Sequence, residues 1–374
     1  MNFQINKDVL LNSLIVAQKA LSNKTPNPAL QGIKLDVLTD YLVITTSNSD
    51  IAIRLLIKDS SLSIKNQGSV LIPGKYFIEI IRKLDGLKVN ISSGIDNMIR
   101  IEADRSDITL NMMDIDDYPE LEFNEKVKSI KINVRTLKTI IRQTAFATSS
   151  IENRPILTGV NFKIDGNKLT AIATDSYRLS QKQIELNEVY EPLNIIIPGR
   201  SLDELIKVLE NNNEMVELHF DQSKILFKYR NLLFQSRLLE GNYPETSKLI
   251  PTEFPIIIKF NKESLSTAIE RASLLSSRDG NNAIVKLQLK KDNIVEITSN
   301  SPEIGKVLEE VYPVDEIIGV PIKIAFSSKY ILDALKIFNS SEITINFTGE
   351  IRPFIIKGDY DENMLQLILP VRTE

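Results

Sequence analysis

The chain contains one histidine, His219, and no cysteine. That removes disulfides, thiolate nucleophiles, Cys/His zinc sites and every mechanism built on a Ser/His or Cys/His pair. Carboxylate, lysine or tyrosine chemistry remains, as does phosphate held by a glycine-rich loop. The run GSVLIPGK, Gly68 to Lys75, has the ingredients of such a loop, in which backbone N–H groups wrap phosphate and a lysine reaches its outer oxygens. Its first glycine is one residue too far away, its interior is Val, Leu, Ile and Pro, and Tyr76 stands where a Ser or Thr must bind magnesium. A strand-to-helix turn is therefore expected. His219 lies in the alternating pattern VELHF with no second histidine to share a metal, and reads as a structural strand residue. The acidic trio Asp114, Asp116 and Asp117 has oxygen ligands of the kind hard cations take. It directly precedes Tyr118-Pro119, which favours a solvated turn.

Two further segments stand out. In AIATDSYRLS, Ala171 to Ser180, Thr174 and Asp175 are suited to capping a turn and Arg178 to pairing with a carboxylate. Tyr and Arg are also frequent anchors of binding surfaces, so an interface is the other reading. The ending LQLILPVRTE is apolar almost to the last residue, where fraying polar residues are the norm, so that tail must pack on something.

The elements that position these residues emerge when the chain is laid against itself. Segments opening at Asn6, Asn133 and Asn261, 127 and 128 residues apart, each place Asn before apolar residues at helical spacing. A β-rich run entering an amphipathic helix recurs around Gly74, Gly199 and Ser327. Small polar pairs recur at Ser47-Asn48, Thr174-Asp175 and Ser299-Asn300, and Tyr118-Pro119-Glu120 returns as Tyr243-Pro244-Glu245. The chain reads as a triplication with boundaries near 125 and 255, giving domains 1–125, 126–254 and 255–374. Turn signals such as Asp165-Gly166-Asn167 and Lys290-Lys291-Asp292-Asn293 separate short β-rich runs between the helices. Each repeat is thus expected to be α+β, two helices on antiparallel strands.

At 374 residues with 43% apolar and 25% charged content, the chain should fold as more than one core. No run approaches about 18 apolar residues, and MNFQINKDVL lacks the charged and apolar regions of a signal peptide, so no span and a cytoplasmic location are expected. Net charge is −4, yet six helical windows (6–24, 75–84, 133–150, 199–210, 261–279 and 321–338) hold 17 Lys or Arg against 9 Asp or Glu. An acidic protein carries basic helices, either as solvated faces or as a surface for polyanions.

With ATDSYRL in the second repeat, LPVR at the end, IPGKYF after the first sheet run, the N-R-P-I-L-T-G-V run from Asn153 and EGNYP before the last repeat, the whole chain resembles the bacterial sliding clamps, the beta subunits of the replicative DNA polymerase. The resemblance implies three tandem clamp domains, helices lining a ring and sheets outside, two chains joined head to tail, and double-stranded DNA in the hole. Partners would be the replicative DNA polymerase, the clamp loader, other proteins carrying clamp-binding motifs, and a second copy of the chain. No cofactor, no metal, no catalytic residue and no membrane are implied.

By position, the resemblance places a peptide-binding cleft at Leu157, Thr174, Ser176, Tyr177, Arg178 and Leu179, with Pro244, Lys248 and Leu249, and with Ile351 and Pro353. Leu367, Leu369, Pro370, Val371 and Arg372 complete it from the tail. Lys248 and Pro353 stand where relatives often have Arg and Ser, and Thr373-Glu374 adds an acidic end, all bearing on peptide preference. DNA-facing positions would be Lys24, Lys75, Arg154 and Arg200; interface positions would be Ile108 and Leu110 in the first domain and Leu274 and Leu275 in the third. Two readings from other classes stand beside this one: a nucleotide-dependent phosphotransferase, which the loop chemistry disfavours, and a triplicated protein-binding scaffold without a DNA role.

Overall fold

The computed structural model describes the chain except residues 23–24, 95, 127, 277, 280–281, 291–292 and 373–374. Lys24, two residues of the 290–293 turn signal and the acidic end at 373–374 thus lie outside the described residues. Among those described there are six α-helices, two per repeat: α1 (Lys7–Ala17), α2 (Gly74–Lys83), α3 (Val134–Thr144), α4 (Gly199–Val208), α5 (Lys262–Leu274) and α6 (Ser328–Lys336).

The three recurring asparagines start the first helix of each repeat for one reason. The four leading N–H groups of a helix lack intrahelical partners, and a short side-chain oxygen just before them supplies one. Asn6 Oδ1 accepts from the backbone N–H of Asp8 at 2.8 Å, Asn133 from Arg135 at 2.9 Å, and Asn261 from Ser264 at 2.9 Å. At the other end a strand hydroxyl satisfies a helix carbonyl: Thr46 Oγ1 donates to Ala17 at 2.8 Å, Ser299 Oγ to Ala272 at 2.6 Å, and Ser180 Oγ to Gln143. The apolar stripes follow helical spacing, Leu10, Leu14 and Ala17 on α1 and Leu265, Ala268, Ile269 and Ala272 on α5, all buried. α1 packs on α2 and α5 on α6.

Gly68–Pro73 is a strand, and α2 begins at Gly74, as the turn reading of GSVLIPGK requires. Glycine is needed there because a Cβ would sit 2.7 Å from Leu21 Cδ1 and 3.0 Å from the Gln31 carbonyl. Gly199, at the matching turn, faces Thr148 Oγ1 at 2.9 Å. The helical windows read from the sequence were too long. Lys323 belongs to the strand Lys323–Ser327, and α1 and α3 end in short 3-10 turns. The basic surplus survives the trimming, since these helices and the two 3-10 turns carry 14 Lys or Arg and 7 Asp or Glu.

The chain divides into two compact units, 1–137 with 200–238 and 138–199 with 239–374. The first contains a five-stranded sheet ending on Ser106–Asn111 and an eight-stranded sheet. In the latter, strand Ile51–Ile57 of the first repeat pairs antiparallel with Leu232–Arg237 of the second, Ile51 opposite Ser236. The second unit contains a six-stranded sheet and a five-stranded one ending on Gly305–Val311. Here the long strand Arg178–Pro198 of the second repeat pairs with Met364–Ile368 of the third, Arg178 opposite Ile368. Within each unit a continuous sheet therefore joins elements of successive repeats. The segments 114–129 and 238–255, where the tandem boundaries were read, contain no strand among the described residues.

His219 sits in strand Met215–Phe220, buried, with Nδ1 accepting from the Lys126 backbone N–H at 3.0 Å. Asp114 Oδ1 accepts from the Asp116 N–H at 3.0 Å, folding the acidic trio into a turn.

Candidate functional site

The ATDSYRL segment forms the turn between strands Gly159–Thr174 and Arg178–Pro198. Thr174 Oγ1 donates to the Arg178 carbonyl at 2.6 Å, while Asp175 Oδ1 accepts from the N–H groups of Tyr177 at 2.9 Å and Arg178 at 3.0 Å. This Asx-type bonding lets the chain reverse with Ser176 in the left-handed region, φ +78°. The Thr174 N–H donates to Tyr243 Oη at 3.0 Å, tying the Tyr-Pro-Glu landmark to the turn; burial raises the phenol pKa above its ordinary value, so that oxygen stays protonated. Tyr177 is thrown outward, 59% exposed, its ring stacked 6.4 Å from Tyr330 of α6.

Arg178 does the opposite. It is only 8% exposed, and its guanidinium donates to Asp175 at 3.0 Å, to Asp333 of α6 at 2.9 Å and to the Phe146 carbonyl at 2.8 Å. It also lies over the rings of Tyr330 at 4.7 Å and Phe146 at 5.2 Å. Of the two readings open for this residue, pairing with a carboxylate is the one the geometry realises, twice over. Sequence reasoning missed Tyr330, Asp333 and Phe146. The signal available was the i, i+3 spacing of Tyr330 and Asp333, which flanks the buried stripe Ile331, Ala334 and Leu335.

The tail packs as its composition demands. Met364–Ile368 is a strand between Arg178–Pro198 and Phe354–Gly358, with Leu367 opposite both Leu179 and Ile355. Beyond the strand the chain stays anchored: the Leu369 N–H donates to the Tyr177 carbonyl at 2.9 Å and the Val371 N–H to the Ala325 carbonyl at 2.7 Å. Leu369, Pro370 and Val371 are half-buried and Arg372 exposed.

The cleft positions thus separate into two groups. Leu157, Thr174, Arg178, Leu179 and Leu367 are buried in the fold beneath the surface. Ser176, Tyr177, Pro244, Lys248, Leu249 and Ile351 are exposed, with Pro353 half-buried. Lys248, Leu249 and Pro353 share a cavity of about 790 Å³, and Ile351, Val371 and Arg372 share another of about 450 Å³. Lys248 is ion-paired with Glu245 at 2.7 Å on the surface. The arrangement offers apolar side chains, backbone edges and surface cations, the equipment of a peptide-binding groove.

The remaining candidates are dispersed. Lys75 and Arg200 are exposed in the first turns of α2 and α4, and Arg154 is exposed beside a 3-10 turn. Ile108 and Leu110 are half-buried on the edge strand Ser106–Asn111. Leu274, the last residue of α5, is 76% exposed, and Leu275 is half-buried. Exposed Ile304 and Leu308, beside and on the edge strand Gly305–Val311, were missed; adjacent Val307-Leu308 puts apolar side chains on both faces of that strand, a sign of cover on both sides.

Three family patterns cover the chain: DNA polymerase III beta subunit, N-terminal domain, over residues 1–122; the central domain over 131–245; and the C-terminal domain over 247–372. The chain belongs to the DNA polymerase III beta subunit family, the beta sliding clamps. It is 43% identical over 379 residues to the beta sliding clamp of Bacillus subtilis (strain 168), and 40% identical over 378 residues to that of Staphylococcus aureus (strain Mu50), each alignment covering 100% of both chains. The crystal structure of the Bacillus subtilis DNA polymerase sliding clamp superposes with a TM-score of 0.96 over 100% of both chains. The fold is therefore the clamp fold, three tandem α+β domains with antiparallel sheets. No helix among the described residues is long and apolar enough to cross a membrane.

Proposed function

We propose that two copies of this chain close head to tail into a ring around duplex DNA and tether the replicative polymerase, the clamp loader and other motif-bearing proteins through the groove beside Tyr177. The supporting observation is that the two five-stranded sheets each end, among the described residues, on an edge strand paired on one side only and bearing apolar side chains, Ser106–Asn111 with Ile108 and Leu110, and Gly305–Val311 with Leu308, the latter joined by exposed Leu274. An open, apolar sheet edge invites pairing, and pairing unlike edges yields fibres unless rotation closes the set. In this reading the domains are 1–125, 126–254 and 255–374. Ile108, Leu110, Leu274 and Leu275 lie in the subunit interface, and Lys24, Lys75, Arg154 and Arg200 face the phosphates, which carry no sequence information and so permit sliding. The chain contributes no catalytic group, cofactor or metal and acts in the cytoplasm.

The test is sedimentation at micromolar concentration. Wild type should run as a dimer, and Leu274→Ala with Leu275→Ala should run as a monomer, since truncating buried leucines costs about 2–5 kcal/mol each. An unchanged dimer would show the interface to lie elsewhere. Loaded protein should stay on closed circular DNA in salt but bind short linear duplex only weakly. Purified protein should hydrolyse no ATP above background, with or without Lys75→Ala.

A further inference from the structure

Behind the tail, the cavity of about 450 Å³ is lined by Lys286, Lys323 and Arg372 against a single carboxylate, Glu350, with Ile324, Ala325, Ile351 and Val371 as its apolar wall. Lys286 comes from the strand Asn282–Leu289 and faces Ala325 across the sheet. Lys323 opens the neighbouring strand, and its backbone N–H donates to Glu350 Oε1 at 3.3 Å, which fixes that carboxylate at the cavity's edge. None of the three cations has a carboxylate partner among the described residues. Among the described residues, the cavity therefore sets three cations without a carboxylate partner against one carboxylate, a local positive excess. The cavity shares Ile351, Val371 and Arg372 with the groove.

Resting on the groove reading above, we propose that this cavity is an extension pocket that binds acidic residues flanking the aliphatic anchor of a clamp-binding peptide. The anchor lies along Tyr177 and the tail. The peptide passes Val371, and its carboxylates meet Lys286, Lys323 and Arg372. Half of the wall is aliphatic, which suits a peptide backbone with short acidic side chains better than the continuous phosphate rail of a duplex. The pocket thereby sets a preference among partners: those with Asp or Glu next to the anchor are held longer, and the gain is sensitive to ionic strength because the cations are near the surface.

The experiment uses the full-length dimer and a fluorescein-labelled pentapeptide carrying two leucines and a phenylalanine, alone and extended by two aspartates at either end. Fluorescence anisotropy at low and high salt reads Kd. One of the two extensions should tighten binding about tenfold at low salt, as expected for a few surface ion pairs, and the gain should shrink at high salt. Lys286→Gln with Lys323→Gln should abolish the gain and leave the unextended peptide's Kd and the melting temperature unchanged. No gain from either extension, or a gain that survives the double variant, overturns the pocket while leaving the groove standing. Failure of all three peptides to bind wild type overturns the groove and the pocket together. If the double variant instead shortens retention on circular DNA with peptide affinities intact, the cations serve the duplex and the proposal is wrong.

Discussion

The same turn is built twice, once in each unit, with opposite results. In the first repeat Ser47 Oγ donates to the Ile51 carbonyl, and Asn48 Oδ1 accepts from the N–H groups of Asp50 and Ile51. In the second, Thr174, Asp175, Tyr177 and Arg178 make the same three bonds at the same offsets. The match extends to the partner strand, where the Arg237 N–H donates to the Asp50 carbonyl at 3.0 Å and the Leu369 N–H to the Tyr177 carbonyl at 2.9 Å. Two residues on, Leu239 bonds to Ile196 as Val371 does to Ala325. The backbone differs at one position, where Ser176 takes a φ of +78° that Ser49 does not, and the side chains differ more. Asp50 and Arg237 close the first turn with an ion pair at 2.7 Å, whereas Tyr177 and Leu369 leave the second apolar and open. Three side-chain roles thus differ between the two turns: Asp50 and Arg237 are matched by Tyr177 and Leu369, and buried Ile51 is matched by Arg178.

The largest test of this comparison is Arg178→Ala. It leaves Asp175 and Asp333, both half-buried, without their largely buried cation, and breaking such a pair costs up to about 3–5 kcal/mol. Urea unfolding at fixed protein concentration should show that loss, while Ile51→Ala at the matching site should cost about 2–5 kcal/mol through its cavity alone and with no dependence on the carboxylates. Deleting Leu369 to Glu374 comes next. Because the sheet strand ends at Ile368, the dimer should survive in sizing and melting, while calorimetry should find peptide affinity down by about a hundredfold or more as the apolar wall is removed. A collapsed melting transition would instead mean that the tail is part of the sheet's stability.

Converting the groove to the first-repeat pattern, Tyr177→Asp with Leu369→Arg, should keep the fold and weaken peptide binding about tenfold or more. The reverse exchange, Asp50→Tyr with Arg237→Leu, should change stability by less than about 1 kcal/mol, as for any exposed ion pair. The smallest effect concerns the hairpin tips behind each turn. Arg230 ties one tip to Glu210 and Glu214 at the surface, whereas Asp361 ties the other by accepting from the backbone and side chains of Asn339 and Ser340. Burial alone would raise the Asp361 pKa, but those hydrogen bonds outweigh it and hold the carboxyl below its ordinary value. A lowered folded pKa contributes stability that is present above the unfolded value and lost as pH falls through the folded one. Melting between pH 7 and pH 3 should therefore show a decline that Asp361→Asn makes shallower, while Arg230→Gln leaves the melting temperature at pH 7 nearly unchanged.

The period, the six helices and the turn at GSVLIPGK were legible in the residues because each rests on local chemistry. An asparagine before an apolar stripe caps a helix wherever it sits, and a glycine is required where a Cβ would strike a neighbouring carbonyl. Helix ends were read too long, since charge and hydropathy continue smoothly from helix into strand at Lys323 and only backbone pairing shows the change.

The tail was legible as something that must pack, but its place was not. Strand order depends on which edges remain free after every other strand has paired, and that is settled by contacts nearly two hundred residues apart in the chain, such as Gln366 Nε2 to Ser180 Oγ at 2.7 Å. The same holds for Arg178. Its sequence neighbours allowed either a surface anchor or a buried pair, and the choice was made by Asp333, Tyr330 and Phe146, none of them near it in the chain. Residue type and spacing determined the repeated parts, because hydrogen bonds within a turn or a cap span only a few residues. Tertiary structure alone decided which copy of the turn is closed by an ion pair and which is left with Tyr177 beside Leu369, because that depends on what the partner strand brings to it.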